Sequence, residues 1–111
     1  MAGKFEVFKD KRGEFRFRLK ASNGEIVLAS EGYRSKAGAN NGAASVKKNC
    51  RSAKCFEAKP AASGKHRFVM KARNHQVIGT SQVYPTEAAR NKGIKAIARA
   101  ASGAKSFDLT K

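Results

Sequence analysis

Residues 16–27 read RFRLKASNGEIV, and residues 67–78 read RFVMKARNHQVI. The two stretches are 51 positions apart, and the same shift places Phe5-Glu6 on Phe56-Glu57 without a gap. It then carries Phe56-Glu57 onto Phe107-Asp108. An ungapped match over this length indicates a tandem duplication, because chance similarity does not hold one register along a whole chain. The fold is therefore decided by one unit that occurs twice.

The duplication divides the chain into two repeats, residues 1–51 and residues 52–111. The second repeat includes an additional short strand near Ser106 to Leu109. A chain of 111 residues fits one domain, and we predict that 1–111 is a single domain made of both repeats. One copy cannot cover its apolar face with one helix, which explains why two copies are fused.

Each repeat has the pattern of three strands followed by a helix. Lys4–Lys9 and Phe15–Lys20 alternate apolar and polar residues, as strands with one buried face do. Asn23-Gly24 fits a two-residue hairpin, whose central positions need positive φ. Asn74-His75 takes that place in the second repeat, and His tolerates the conformation less well than Gly.

The helices are predicted from a change of period after the third strand. Ser35 and Thr86 are suitable N-caps. Gly42 and Gly93 share one repeat position inside these helices, where each glycine costs about 1 kcal/mol of helix propensity. We interpret both as points where the helix backbone closely approaches the sheet.

The hairpin register assigns side chains to the two faces of the sheet. The face that the helices should cover contains Phe15, Phe17, Leu19, Ala21, Ile26 and Leu28, and in the second repeat His66, Phe68, Met70, Ala72 and Val77. The opposite face is basic and contains Arg16, Arg18, Lys20, Arg67 and Lys71, interleaved with the apolar residues Phe8, Val27, Val69 and Ile78.

The run from Arg16 to Val27, its continuation to Ala37 and the run from Lys71 to Tyr84 together resemble the YegP-like family of small bacterial proteins. The resemblance covers nearly the whole chain, although His66, Val69 and Ala100 look atypical. It implies an α+β fold in which the two units form one antiparallel sheet. Two helices would pack on one face, and the short C-terminal strand would be exchanged between the halves. It supplies no catalytic or ligand-binding residues.

Charge is the unusual property of this sequence. Twenty-four Lys and Arg against eight Asp and Glu give a formal net charge of +16, an excess that attracts polyanions. The candidate polyanion-binding residues are Arg16, Arg18, Lys20, Arg67, Lys71, Arg90, Lys92, Lys95 and Arg99. Alternatively, the sheet face is an exposed surface solubilised by long charged side chains, or a surface for self-association across a two-fold axis.

Catalysis needs a reactive constellation, and the sequence offers none. His75 lies in a turn and His66 on the buried face, without an acid placed to orient either. Glu6, Glu57 and Asp108 occupy equivalent repeat positions, and we expect Glu6 and Glu57 to pair with Arg16 and Arg67 across neighbouring strands. We predict no catalytic, metal-binding or cofactor-binding residue, and hence no enzyme.

Cys50 and Cys55 lack metal-ligand spacing and are expected to be reduced, a strained disulfide being the alternative. Because no signal peptide or membrane-spanning run is recognisable, a cytoplasmic protein is expected. The sequence favours a non-enzymatic interaction module that binds RNA, DNA or another polyanion through a basic face, as a monomer or weak homodimer. The alternative is a structural or protein-partner role without a nucleic-acid ligand.

Overall fold

A computed structural model describes residues 2–72 and 76–110. The strands are β1 (Lys4–Lys9), β2 (Phe15–Lys20), β3 (Ile26–Ala29), β4 (Phe56–Pro60), β5 (His66–Lys71), β6 (Val77–Thr80) and β7 (Lys105–Asp108). The helices are α1 (Lys36–Asn49) and α2 (Glu87–Ala101). The predicted two-residue turn at Asn23-Gly24 is wrong, because only Gly24 of the pair has a positive φ, 86°. Gly24 N donates to Ala21 O at 2.9 Å, so Ser22 and Asn23 are the central residues of the turn. The turn predicted at Asn74-His75 lies outside the described residues.

The strands form one sheet in the order β4-β5-β6-β3-β2-β1-β7. The repeats meet at its centre, where β3 pairs with β6. The predicted α+β fold is confirmed, and the terminal strand β7 joins the first repeat by pairing with β1. That pair is parallel, whereas every other named pair is antiparallel. Helix α2 ends beside the beginning of β1, where Gly3 N donates to Ala100 O at 2.9 Å, so β7 starts at the same end as β1.

Both helices begin and pack as the sequence predicts. The side chains of Ser35 and Thr86 accept hydrogen bonds from the amides of Gly38 and Ala89, both at 3.0 Å. A Cβ added to Gly42 would lie 2.6 Å from Tyr33 Oη and 2.8 Å from Phe17 Cε2. A Cβ added to Gly93 would collide with Tyr84 in the same way. The glycines therefore admit aromatic rings that rise between sheet and helix.

The core repeats its aromatic geometry in both halves. Phe17 stacks on Tyr33 with ring centroids 6.4 Å apart, and Phe68 stacks on Tyr84 at 6.2 Å. The core-facing prediction holds for Phe17, Leu19, Leu28, Phe68 and Met70, all of which are fully buried.

Ile26 and Val77 are exceptions at the same repeat position: Ile26 is 41% exposed, and Val77 is only half-buried and pairs with Lys71 after an equivalent register shift. A register shift between Leu19 and Lys20 pairs Lys20 with Ile26 and breaks the strict alternation on which the prediction depended. Val27 and Ile78, both predicted on the outer face, belong to the buried core instead.

Candidate polyanion-binding surface

The outer face of the first repeat is organised around one carboxylate. Glu6 lies directly opposite Arg18 in the β1–β2 register. It binds Arg18 Nε at 2.7 Å, Lys20 Nζ at 3.2 Å and Lys4 Nζ at 3.6 Å. The hydrogen bond from Arg18 lowers the pKa of Glu6 against the opposing effect of burial, and Lys20 adds to this. Three cations are thus held by a nearly buried anion.

Arg16 does not pair with Glu6 as the sequence reasoning expected, because it stands opposite Phe8. Its Nε binds Asp10 Oδ2 at 2.7 Å, and its Nη1 donates to Ser30 O at 3.1 Å. The same bond lowers the pKa of Asp10 and raises the pKa of Arg16. The expected pair between Glu6 and Arg16 was therefore wrong, although Arg16 is neutralised by another acid, Asp10.

The second repeat has fewer acids on this face. Glu57 pairs with Lys71 and with Lys59, the latter at 3.1 Å, and not with Arg67. The hydrogen bond from Lys71 is the main cause of the lowered pKa of Glu57. The residue that corresponds to Asp10 is Ala61. Arg67 consequently has no acidic partner among residues 2–72 and 76–110, and it stands opposite Lys59.

The sheet's outer face has few aromatic rings. Phe107 of β7 stands opposite Glu6 and is 47% exposed, with Lys4 Nζ 5.7 Å from its ring centroid. Phe8 is half-buried, and the guanidinium of Arg18 lies 4.7 Å from its ring centroid. Val69 is 6% exposed, and Val27 and Ile78, which were also predicted on this face, lie in the core. Single-stranded nucleic acid needs several accessible aromatic rings for base stacking. Most charges of this face are therefore neutralised within the protein, and Phe107 alone, among the described residues, offers an exposed aromatic ring there.

The basic residues of α2 are in a different situation. Arg90 is held by Glu87 at 3.7 Å and by Asn91 Oδ1 at 3.0 Å. Lys92, Lys95 and Arg99 are exposed and, within the described part of the chain, have no acidic partner. Their spacing of three and four residues places them along one side of the helix.

Arg51, which the sequence reasoning did not single out, joins this group. It follows α1 and lines a cavity of about 360 Å³ together with Arg99 and Ser102. Its Nη2 donates to Ser102 Oγ at 3.0 Å. The repeat alignment could have indicated this contact. The 51-residue shift places Arg51 on Ser102, and each residue lies just after the helix of its own repeat.

The nine predicted residues do not form one surface. Arg16, Arg18, Lys20, Arg67 and Lys71 lie on the strands β2 and β5, and Arg90, Lys92, Lys95 and Arg99 lie on α2, which packs on the other face of the sheet. They therefore form two separate basic surfaces.

The described residues contain no cluster of three or more His, Cys, Asp or Glu side chains that could hold a metal ion. His66 is half-buried, and its backbone bridges to Tyr84 with N–H···O distances of 2.8 and 2.6 Å. Cys50 and Cys55 are free thiols. His75 lies outside the described part of the chain. Neither described helix is long and apolar enough to cross a bilayer.

Comparison with known proteins identifies close relatives. A family model described as "Domain of unknown function (DUF1508)" matches residues 10–57 and again residues 61–108. The "UPF0339 protein in ptx operon 5'region" of Stutzerimonas stutzeri is 53% identical over 109 residues, which cover 98% of each chain.

Two solution NMR structures have the same fold. The protein of unknown function yegP from Escherichia coli is 44% identical, with a TM-score of 0.93 over 99% of this chain and 95% of that one. A UPF0339 protein from Shewanella oneidensis is 43% identical, with a TM-score of 0.92 over 99% and 93% of the two chains.

Proposed function

The chain belongs to the DUF1508 domain family, as the sequence resemblance indicated, and from this premise we propose that it is a non-enzymatic module that binds polyanions such as RNA or DNA. The similar proteins are named only as UPF0339 proteins, without an enzymatic activity. The contact surface in this proposal is the α2 surface, defined as Arg51, Lys92, Lys95 and Arg99.

One contrast between the two basic surfaces supports this choice. On the sheet, Glu6, Asp10 and Glu57 already hold the side chains of every basic candidate except Arg67. Along the α2 surface, no acidic side chain of the described residues pairs with Lys92, Lys95 or Arg99. A phosphate backbone gains most from cations that no internal anion neutralises, because only these release condensed counterions without breaking an ion pair.

The chemistry of the α2 surface fits phosphate better than it fits bases. Arg51 and Arg99 line one cavity, and guanidinium groups bind phosphate in a bidentate manner, whereas Lys92 and Lys95 act as point charges. Such contacts position a nucleic acid without reading its sequence. Arg99 also lies in the last turn of α2, where a cation stabilises the helix dipole, but Lys92 and Lys95 lie before that turn.

The test compares two triple variants of equal net charge. Lys92→Gln, Lys95→Gln and Arg99→Gln remove the α2 surface. Lys9→Gln, Lys11→Gln and Arg12→Gln remove three exposed cations around the β1–β2 turn, at the end of β1 remote from the end of α2. Binding of a labelled single-stranded oligonucleotide is measured by fluorescence anisotropy at several salt concentrations.

If the α2 surface is the site, only the first variant loses affinity, and its salt slope falls by about 2. Equal losses in the two variants would mean that net charge alone attracts the oligonucleotide, which contradicts the proposed site. Absence of wild-type binding near physiological salt would remove the function itself. The alternative protein-partner role is favoured by a separate feature: β4 pairs with β5 alone among the strands of the described residues.

A further inference from the structure

The two edges of the sheet are not equivalent, although the repeats are. Strand β1 is covered on its outer side by β7. Its counterpart β4 pairs with β5 alone among the strands of the described residues. The sheet therefore ends in a strand whose equivalent in the other repeat carries a docked parallel strand.

The register shows that the β4 edge presents the same backbone groups that hold β7. Val7 stands opposite Phe17, and its carbonyl oxygen accepts a hydrogen bond from Leu109 N at 2.8 Å. Ala58 stands opposite Phe68 in the identical register. The peptide groups of Ala58 and of Phe56, two residues before it, consequently face outward, as an added strand requires.

A groove continues this edge towards α2. Its volume is about 620 Å³, its apolar lining includes Cys50, Phe56, Ile94 and Ala98, and Arg51 and Lys95 also line it. Phe5, the equivalent of Phe56, is fully buried, whereas Phe56 is only half-buried. Apolar surface that the first repeat covers is thus accessible in the second, and burying it favours a bound strand.

Charge distinguishes the occupant of this edge from β7. On β1, Asp108 of β7 binds Lys36 at the beginning of α1 at 2.9 Å. The repeat equivalent of Lys36 is Glu87. The Glu87 side chain is 74% exposed and only distantly paired with Arg90 at 3.7 Å, so it remains open to a further cation. A copy of β7 placed on β4 would bring Asp108 against Glu87.

We infer that the β4 edge and its groove bind an extended segment of a partner protein, which runs parallel to β4. This segment carries Lys or Arg where β7 has Asp108. Main-chain hydrogen bonds to Phe56 and Ala58 hold the strand, the groove receives a small apolar side chain, and Glu87 selects the basic residue. Glu87 also disfavours binding of β7 from a second copy by charge repulsion. Repeated binding of that kind would join copies head-to-tail into filaments. The argument for this inference does not depend on polyanion binding, although the groove shares Arg51 and Lys95 with the α2 surface.

The test uses two synthetic peptides and NMR titration of the full-length ¹⁵N-labelled protein. One peptide has the sequence of residues 102–110, and the other carries Asp108→Lys in that sequence. The lysine peptide should shift the amide resonances of Phe56 and Ala58 saturably. It should bind between about twofold and about 30-fold more tightly than the native peptide, because attraction to Glu87 replaces repulsion.

Glu87→Lys in the protein should reverse this preference, whereas Glu25→Lys, the same charge change at the β2–β3 turn, should leave it unchanged. Ala58→Pro removes an outward N–H without removing a β4–β5 hydrogen bond, and it should weaken both peptides if its thermal transition shows that it is folded. Equal binding of the two peptides to wild-type and Glu87→Lys proteins would overturn the inference. The inference would also be overturned if the amide resonances that shift were those of Phe5 and Val7, because the peptide would then be replacing β7 on β1.

Discussion

The two repeats are alike in their interior and different at their periphery. In the first repeat, the hydroxyl of Ser30 accepts a hydrogen bond from the buried amide of Phe17 at 2.9 Å. In the second repeat, Ser81 accepts the equivalent bond from Phe68 at the same distance. Outside the core, Glu6 is nearly buried among three cations, whereas the side chain of Glu57 is 42% exposed. Residues 1–51 contain twelve basic and five acidic side chains, and residues 52–111 contain twelve and three.

The difference follows the position of β7. Because β7 lies against β1, the first repeat is enclosed on its outer edge, and Phe5 is fully buried. The second repeat has the same aromatic stack but a free edge and fewer acids. Packing therefore constrains the shared core, while the surfaces of the two copies can diverge.

The largest expected effect tests whether the two cores are equivalent. Phe17→Ala and Phe68→Ala each remove a fully buried ring that stacks on a tyrosine. Each should reduce the free energy of unfolding by about 3–5 kcal/mol, since a cavity replaces the ring. Chemical denaturation measures both. If the losses in free energy of unfolding of the two variants differed by more than about 2 kcal/mol, the two repeats would not contribute equally to the core.

A smaller effect should separate the helices. Gly42→Ala would place a methyl group against both Tyr33 and Phe17, whereas the three atoms nearest to a methyl group at Gly93 all belong to Tyr84. Overpacking of this kind costs about 1–3 kcal/mol, and the cost should be higher at Gly42, where two rings must move. Thermal unfolding of the two variants gives the comparison. If either substitution stabilised the protein, the gain in helix propensity would outweigh the clash.

The acid clusters should differ in strength and in pH dependence. Glu6→Gln should lower the free energy of unfolding by roughly 1–2 kcal/mol at pH 7, because it loses charge-assisted bonds to Arg18 and Lys20. Glu57→Gln should cost less, since Glu57 is much more exposed.

The pKa of Glu6 is lowered from its ordinary value of 4.5. Its contribution is therefore complete above pH 4.5 and is lost as the pH falls through the folded-state pKa. Denaturation of wild-type and Glu6→Gln proteins between pH 7 and acid conditions should give a difference that shrinks on acidification. A constant difference would mean that packing, not charge, makes Glu6 important.

The smallest effect concerns the terminal strand. Asp108→Asn removes the ion pair with Lys36, which is the main cause of the lowered pKa of Asp108. We expect local opening of β7 with little change in global stability, seen as faster hydrogen exchange of the Leu109 amide. Glu87→Gln, which makes the same change in net charge in the first turn of α2, should not affect that amide. Unchanged exchange in Asp108→Asn would show that backbone pairing alone holds the strand.

Much of the fold could be predicted from the sequence because duplication doubles every signal. Phe17 and Phe68 mark the same core position, and Ser35 and Thr86 the same cap. The register shift at Lys20 and Ile26 could not be predicted, since a bulge changes alternation without changing composition. The parallel pairing of β7 depends on where α2 ends, which is a property of the assembled helices.

The candidate surface was predicted less well, for a physical reason. Sequence gives the number of cations but not which of them an acid neutralises in space. Arg18 and Lys95 look alike in the sequence, yet Arg18 is bound to Glu6, whereas Lys95 has no acidic partner among the described residues. Arg51 was missed because it belongs to neither a strand nor a helix.

The pairing of β7 with β1 also has a consequence for synthesis on the ribosome. Residues 4–7 are completed by residues 105–108, which emerge about 5–20 s later at ordinary translation rates. Until β7 pairs, the outer side of β1 lacks a neighbouring strand, as does the outer side of β4 among the described residues of the complete fold. Pairing of β7 with β1 therefore comes late in synthesis, and it covers only one of the two edges of the sheet.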